Sequence, residues 1–394
     1  MVSRSLDEVI PSIVKGIPCL PTVTTTRGST GVVAAFRRGE RLVAGPAGGA
    51  IPIVPERTET FAATQGLSLK EIAALMEQQR AKKIPTIDLA DFTTGDSAAR
   101  RRMVRTLGEG LQEFGFLNVT GHGIDSGLVR QTYDLWRRFF ELPEETKKRY
   151  AGIEGGARGF TPFGVEHAKG KSQPDLKEFF HVGQTPPAGH PLASTYPANV
   201  WPDEIPQIKD PTLRLYKALE STAENLLVGL AEFFDLPRDT FSSMMSVGNS
   251  ILRVIHYPPL ADDVPDGAVR AAEHEDINLI TLLPEATDSG LEILTREGEW
   301  LPVVSGPGQI VVDAGDMLSR VTNEVVPATT HRVVNPPQGS RADRYSMPFF
   351  VHPYPSCDLT VMRRFVTDGR PPKFAPITAG EFLDERLREI GLKR

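Results

Sequence analysis

The chain is 394 residues long, 40% hydrophobic and 24% charged, which is ordinary for a globular protein and allows two or three folding units or one large domain with extensions. A formal net charge of −6 argues against nucleic acid or an anionic membrane as the main partner, and two cysteines, Cys19 and Cys357, exclude a disulfide scaffold or a thiolate-rich metal site. The longest uncharged, mostly apolar stretch, Leu42 to Pro55, is too short and too rich in Gly and Pro to span a bilayer, so a soluble, cytoplasmic protein is expected.

Residues 1–66 are poor in acids and rich in Gly, Pro, Ser and Thr, with no clear helical or strand period, and read as a low-order extension. Arg37, Arg38 and Arg41 lie on no amphipathic helix of the kind a transit peptide needs, and no secretory leader is visible. Met76 would serve as a start, and a chain beginning there is expected to be as active as the full one. Ser68 and Glu71 form a capping box ahead of a linker helix, within 67–82, that runs through Gln79.

From residue 83 the texture is globular. IPTIDL is a short strand. Ser97 to Phe114 carries Met103, Leu107, Leu111 and Phe114 at helical spacing and stops at Gly115. FLNVTGHG is a strand running into a turn. Leu128 to Leu142 is a second helix, with Leu128, Tyr133, Trp136 and Phe140 on one side. Pro211 to Phe234 is the longest, with Leu215, Leu219, Leu226 and Leu230 as its stripe. A helical region is thus expected over 83–245.

After residue 250 the pattern changes to short apolar runs: ILRVIHY, INLITLL, LEILT, GEWLPV, GQIVVDAG, HRVV and RYSMPFFVH. Turn residues separate them at the spacing of an antiparallel sandwich or barrel, expected over 246–356. The 35 Gly and 33 Pro of the chain fit that turn-rich half. A last helix, capped by Thr378 and Glu381, closes the segment 357–394.

Several motif candidates fail. GVEHAKGKS has its first glycine, Gly164, one residue too far from Gly170 for a phosphate loop. No G-x-S-x-G elbow occurs, and GEGLQEFG lacks dinucleotide spacing. The strand-rich half offers His274-Glu275-Asp276, with His331 on a later strand. A chain with 8 His and 50 acids is expected to contain an H-x-[DE] by chance, so the pair alone is weak. On a strand, however, residues i and i+2 share a face, and a histidine from a neighbouring strand completes a two-His, one-carboxylate set with open positions, suited to non-haem Fe(II) and oxygen chemistry. The bland alternative for His331 is a hydrogen-bonded core histidine.

Arg344 and Ser346 also alternate on one strand, offering a guanidinium fork and a hydroxyl to a carboxylate, with the Tyr257 phenol as a further donor. The alternative for Arg344 is an ion pair with Asp343 or Asp316. The apolar run SMPFFV that follows it indicates a core-bound strand, where a lone cation is costly.

In this order, LRVIHYPP, HEDINLITLL, GEWLPV, VDAGDMLSRVTN, TTHRVVNPP and RYSMPFFVHP resemble the isopenicillin N synthase-like family of Fe(II) and 2-oxoglutarate-dependent oxygenases. IPTIDLADF, EFGFLNVTGHGI, RGFTPFG and DLKEFFHVG extend the resemblance to about residues 83–390. It implies a double-stranded β-helix, or distorted jelly roll, behind a helical N-terminal region. It further implies Fe(II) on His274, Asp276 and His331, 2-oxoglutarate chelating that iron with its far carboxylate on Arg344, Ser346 and Tyr257, and O2 at the last position. The expected reaction is oxidation of a small-molecule C–H bond with release of succinate and CO2.

HEDINLITLL is also similar to isopenicillin N synthase itself, where the R-x-S pair holds a carboxylate of the substrate. The wider family includes ethylene-forming enzymes as well, so the clamp demands a carboxylate without saying whose. Phe160, Lys177, Phe180 and Phe349 are candidates for lining the substrate pocket, with plain core as the alternative for the aromatics and a structural ion pair within Asp175–Glu178 as the alternative for Lys177.

Overall fold

Asp96 begins the first long helix by accepting hydrogen bonds from the Ala98 and Ala99 amides at 2.8 Å, and Gly115 ends it in the left-handed conformation at φ 64°. In the computed structural model, which describes residues 23–28, 31–36, 83–152, 157–166, 175–260, 268–336 and 343–389, this helix (α1) spans Ser97–Phe114 as the periodicity predicts. Met103, Leu107 and Leu111 are buried along it.

The second helix (α2) spans Ser126–Phe140, two residues earlier at both ends than expected. Asp125 caps it by accepting from the Gly127 amide at 2.8 Å, and Pro143 disfavours helical backbone at Leu142. The longest helix (α3) spans Lys209–Phe233. Pro211 sits inside its first turn, where the missing N–H has no partner to lose, so a proline expected at the very start lies two residues within. Trp136 of α2 is fully buried and donates its indole N–H to Thr212 of α3 at 3.0 Å. Where α1 meets α3, a Cβ on Gly108 would fall 2.1 Å from the Phe233 ring, so that glycine sets the approach of the two helices.

The strands form two sheets in the unit Lys82–Arg394. The larger uses β3 (Thr86–Asp88), β4 (Phe116–Thr120), β5 (Gly159–Thr161), β6 (Glu178–Gly183), β7 (Ile251–Tyr257), β9 (Ile280–Pro284), β12 (Ile310–Ala314) and β15 (Phe349–Val351), in the order β3-β4-β12-β9-β15-β7-β6-β5. Strand β14 (Arg344–Ser346) also pairs with β7, because Pro348 divides RYSMPFFVH into two strands. The smaller sheet has the order β11-β10-β13-β8, from β8 (Ala271–His274), β10 (Leu291–Leu294), β11 (Trp300–Pro302) and β13 (His331–Val333). All pairings are antiparallel except β3 with β4. This is the jelly-roll architecture expected, with the three helices packed on the larger sheet's side of the core.

The closing helix spans Ala379–Glu389, and its capping box forms as expected: the Thr378 amide and hydroxyl donate to Glu381 Oε2 at 2.9 and 2.7 Å. In the separate unit Met1–Ala81, β1 (Val23–Gly28) and β2 (Gly31–Phe36) pair as an antiparallel hairpin. Its runs VTTT and VV are β-branched without polar–apolar alternation, so periodicity does not reveal it. The expected helix from Ser68 lies outside the described residues.

Candidate metal and carboxylate site

His331 stands opposite His274 in the β13–β8 ladder, so two imidazoles far apart in sequence become neighbours. Their rings are 4.4 Å apart at 53°. Asp276 is not on that strand: β8 ends at His274, and the acid lies two residues beyond, in the turn toward β9. The expectation that H-x-D alternates along one strand is therefore corrected. The turn brings Asp276 Oδ1 to 3.8 Å from His274 Nε2 and 3.9 Å from His331 Nε2. One ligand atom from each of the three lies within 4.8 Å of the others.

The remaining ring nitrogens fix the tautomers. His274 Nδ1 lies 2.8 Å from the Ala272 carbonyl and His331 Nδ1 lies 3.1 Å from that of Thr329, so each Nδ1 carries the hydrogen and each Nε2 presents a lone pair toward Asp276. Burial and the neighbouring His274 push His331 down to about 4, which keeps it neutral and able to ligate at ordinary pH. The donor set fits a divalent iron with open positions.

The turn is clamped by the backbone that follows β12. The Asp316 amide donates to the Asp276 carbonyl at 2.7 Å, and the Gly315 and Met317 amides donate to Leu279 and Asn278 at 3.0 Å each. A Cβ on Gly315 would fall 2.4 Å from the Asn278 carbonyl and 2.8 Å from that of Asp276. Backbone cannot move aside as a side-chain tip can. Gly315→Ala is therefore expected to displace Asp276 and weaken Fe(II) binding at least tenfold while far-ultraviolet circular dichroism stays native; unchanged affinity in an anaerobic metal titration would refute this.

Asp276 also accepts a short hydrogen bond from the Thr281 hydroxyl, which in turn accepts from Asn278 Nδ2 at 2.8 Å. Asp313, absent from the sequence reading, lies beside this group, and burial together with the adjacent Asp276 raises its carboxyl well above the usual range.

The opposite wall follows from strand register. Across β6, β7 and β14, Arg344 stands opposite Tyr257 and Ser346 opposite Ile255, while Glu178 and Phe179 pair with His256 and Ile255. Arg344, Ser346, Tyr257 and Lys177 line one cavity with the triad. Arg344 is 2% exposed. Its Nε donates to the Asp288 carbonyl at 3.2 Å, its guanidinium carbon stands 4.9 Å from the Tyr257 ring centre, and its Nη1 is buried with no hydrogen-bond partner among the described residues. The two acids weighed as its ion-pair partners are engaged elsewhere: Asp343 lies 3.7 Å from His256, and Asp316 lies 3.4 Å from Arg386. A buried fork in this state calls for an incoming anion. Arg270, 1% exposed, lies 5.9 Å from the Tyr257 ring centre and 3.6 Å from Asp288, a second guanidinium close by that the motifs do not mark.

Lys177 both lines the cavity and makes an ion pair, to Asp175 and Glu166 at 2.7 Å each, whereas Glu178 turns away to Lys147 and His256. Phe160, Phe180 and Phe349 are not among the lining residues, and their expected place in the pocket is corrected. Phe160 and Phe180 pack against Phe139 at 5.8 and 5.2 Å, and Phe349 packs edge-on against Tyr216 at 4.8 Å. The cause is phase. Period two carries the inward face from Lys177 to Phe179, not Phe180, and from Arg344 and Ser346 to Phe350, not Phe349. Phe350 and Arg253 do line the cavity, as do Phe116, Leu283, Leu291 and Val333.

His352, just beyond β15, is also held neutral, pushed down to about 4 by burial. Its unfolded counterpart binds a proton below about 6.5, so as pH falls from 6.5 to 4 the native state loses up to about 3 kcal/mol relative to a chain without this group. In His352→Gln the metal-free protein is expected to gain stability on the wild type across that window, read as a narrowing or reversal of the melting-temperature difference. A difference constant with pH would contradict it.

A helical front, a jelly roll, a two-His, one-carboxylate face and a buried arginine beside it together define a non-haem iron oxygenase. The chain belongs to the 2OG-Fe(II) oxygenase superfamily: that family's model matches residues 248–353, and the model described as non-haem dioxygenase in morphine synthesis N-terminal matches residues 84–204. A 2-oxoglutarate-Fe(II) type oxidoreductase of Aspergillus fumigatus is 31% identical over 313 residues, covering 77% of this chain and 92% of its own. A 2OG-Fe(II) oxygenase family protein from Caulobacter crescentus superposes with TM-score 0.71 at 41% identity, over 78% of this chain and 99% of that one. A full-length Neurospora crassa protein, solved in complex with alpha-KG and thymine, superposes with TM-score 0.69 at 27% identity, over 77% and 96%. The protein is thus an oxidoreductase that uses Fe(II), 2-oxoglutarate and O2. Among the described residues no helix is long and apolar enough to cross a membrane.

Proposed function

We propose that His274, Asp276 and His331 hold the iron, that Arg344 and Ser346 bind the far carboxylate of 2-oxoglutarate with Tyr257 beside them, and that the substrate is a small molecule admitted to the remaining part of the same cavity. The observation that carries this reading is the buried Arg344 Nη1, without a hydrogen-bond partner among the described residues, on the wall of the cavity that also holds the triad. The chemistry supplied by bound iron and 2-oxoglutarate is oxidation of an unreactive C–H bond by dioxygen, with loss of 2-oxoglutarate as succinate and CO2.

The chain's own residues position and protect. The carbonyls of Ala272 and Thr329 keep the two Nε2 lone pairs available. Arg344 gives a dicarboxylic acid one fixed end, so its other end is directed toward the triad. Phe116, Ile255, Leu283, Leu291 and Val333 keep water from the rest of the cavity. A cytoplasmic setting agrees with the two-cysteine composition and the acidic balance.

Succinate formation and oxygen uptake, measured together on 2-oxoglutarate, Fe(II) and ascorbate with a metabolite panel, test the reading. Wild type is expected to turn over, at least slowly without substrate, and His274→Ala to be silent. Absence of both turnover and 2-oxoglutarate binding in the wild type would defeat it.

A further inference from the structure

The cavity lining holds a second polar cluster, around Lys177 and Arg253, and its charge balance differs from that of Arg344. Lys177 Nζ sits between Asp175 Oδ2 and Glu166 Oε2, 2.7 Å from each. The same Glu166 oxygen accepts from Arg253 Nη1 at 3.1 Å, and Arg253 Nε donates to His181 Nε2 at 2.6 Å. Arg253 lies over the Phe179 ring at 4.1 Å and 5.2 Å from that of Phe350, so its guanidinium is held in place from below and from the side. Asp175 is tied in turn to the strand of His274, accepting from the Ala272 amide at 3.0 Å. Two cations are thus set on two carboxylates, and the network is neutral apart from the imidazole. Donors remain unspent: Arg253 Nη2 makes no hydrogen bond among the described residues, and Lys177 has three hydrogens for two acceptors.

We propose that Lys177 and Arg253, bridged by Glu166, form the recognition end for the substrate to be oxidised, and that this substrate presents an uncharged carbonyl oxygen to them, as an amide, imide or lactone does. The inference rests on the reading that Arg344 takes 2-oxoglutarate. Charge decides the class. A carboxylate added to a network already neutral would leave a buried surplus of negative charge in the same lining as Asp276. An ammonium group placed against Lys177 and Arg253 would meet two cations. A carbonyl oxygen takes the unspent N–H groups at no cost in net charge, and Ile255, Leu283 and Val311 suit an otherwise apolar body. Arg344, with no carboxylate partner among the described residues, has the opposite preference, so the two polar ends sort the two reactants.

Saturation-transfer NMR on the full chain tests this, with Zn(II) in place of Fe(II) and with saturating 2-oxoglutarate, using benzamide, benzoate and benzylamine as probes of one shape and three charges. Benzamide is expected to bind at least tenfold more tightly than either of the others. Glu166→Gln removes one negative charge and is expected to reverse the order, with benzoate binding more tightly than benzamide. Arg253→Lys keeps the charge but removes Nη2, and is expected to cut the benzamide preference below threefold while the 2-oxoglutarate titration is unchanged. The proposal is overturned if benzoate matches benzamide in the wild type, if no probe binds, or if Glu166→Gln leaves the order as it was. Failure of 2-oxoglutarate itself to bind would fall on the reading of the arginine end, and is read separately in the same samples before any probe is added.

Discussion

Arg344→Leu is expected to leave Fe(II) binding within about threefold of wild type and to raise the 2-oxoglutarate concentration needed for half-saturation by at least about thirtyfold. Removing one partner of a buried, hydrogen-bonded charge pair costs about 2–5 kcal/mol, and each 1.4 kcal/mol is a factor of ten. The lower end applies if Arg270, close to the same Tyr257 ring, takes over part of the load. Leucine fills much of the buried volume and leaves the β14–β7 backbone ladder intact, so the fold is expected to survive. Ser346→Ala removes a single hydrogen bond to a charged group, worth about 1.5–3 kcal/mol, and should give the smaller shift of the two. The readout is the visible metal-to-ligand charge-transfer band formed when 2-oxoglutarate is added to the Fe(II) protein without oxygen. A wild type that forms no such band, or an Arg344→Leu protein that titrates like wild type, would show that this arginine serves another carboxylate.

The site was legible to different depths for reasons that differ physically. Helix stripes and short apolar runs report burial, and burial is what periodicity encodes, so α1 appears in the sequence residue for residue and β7 as ILRVIHY. Arg344, Ser346 and Tyr257 were readable because alternation on adjacent antiparallel strands turns sequence parity into a shared face. The same parity turns Phe180 and Phe349 away from the cavity. On β6 Phe179, paired with the cavity-lining Ile255, and Phe180 point to opposite faces, and counting in twos from Ser346 arrives at Phe350.

Arg253 was in view inside ILRVIHY, two and four residues from Ile255 and Tyr257 on the same face, and parity alone would have found it. Asp313 and Glu166 are harder. Asp313 is a polar residue within an apolar run, and Glu166 reaches Lys177 and Arg253 from outside any strand, so no period marks it. Asp276 is a candidate through the H-x-D motif, but strand alternation is not what brings it beside the histidines. The shared face it needs comes from the turn clamped by Gly315, Asp316 and Met317, a contact between segments that local spacing does not contain.

That turn sets the last expectation, a graded pair of variants at the carboxylate. Asp276→Ala removes the one carboxylate of the triad and leaves two imidazoles, so Fe(II) binding and succinate formation are both expected to fall below detection. Thr281→Val keeps the shape and the carboxylate but deletes the hydroxyl that donates to Asp276 Oδ2 and accepts from Asn278. Hydrogen-bond partners of metal-binding groups typically contribute 10–100-fold in metal affinity, and a loss in that range is expected here. Asp276 lies in a turn outside any strand, so it depends on this donor and on its backbone clamp for orientation, whereas His331 is held by a ladder pair, a carbonyl on Nδ1 and the edge of Phe116 at 5.5 Å. The discriminating measurement is anaerobic Co(II) titration with 2-oxoglutarate present, in which the ligand-field bands report geometry as well as affinity. Thr281→Val should bind more weakly and with altered bands, because Asp276 Oδ1 is free to rotate out of position once Oδ2 loses its donor. Wild-type affinity with wild-type bands would mean that the turn alone orients the carboxylate, and that the Asn278–Thr281–Asp276 chain serves the fold rather than the metal.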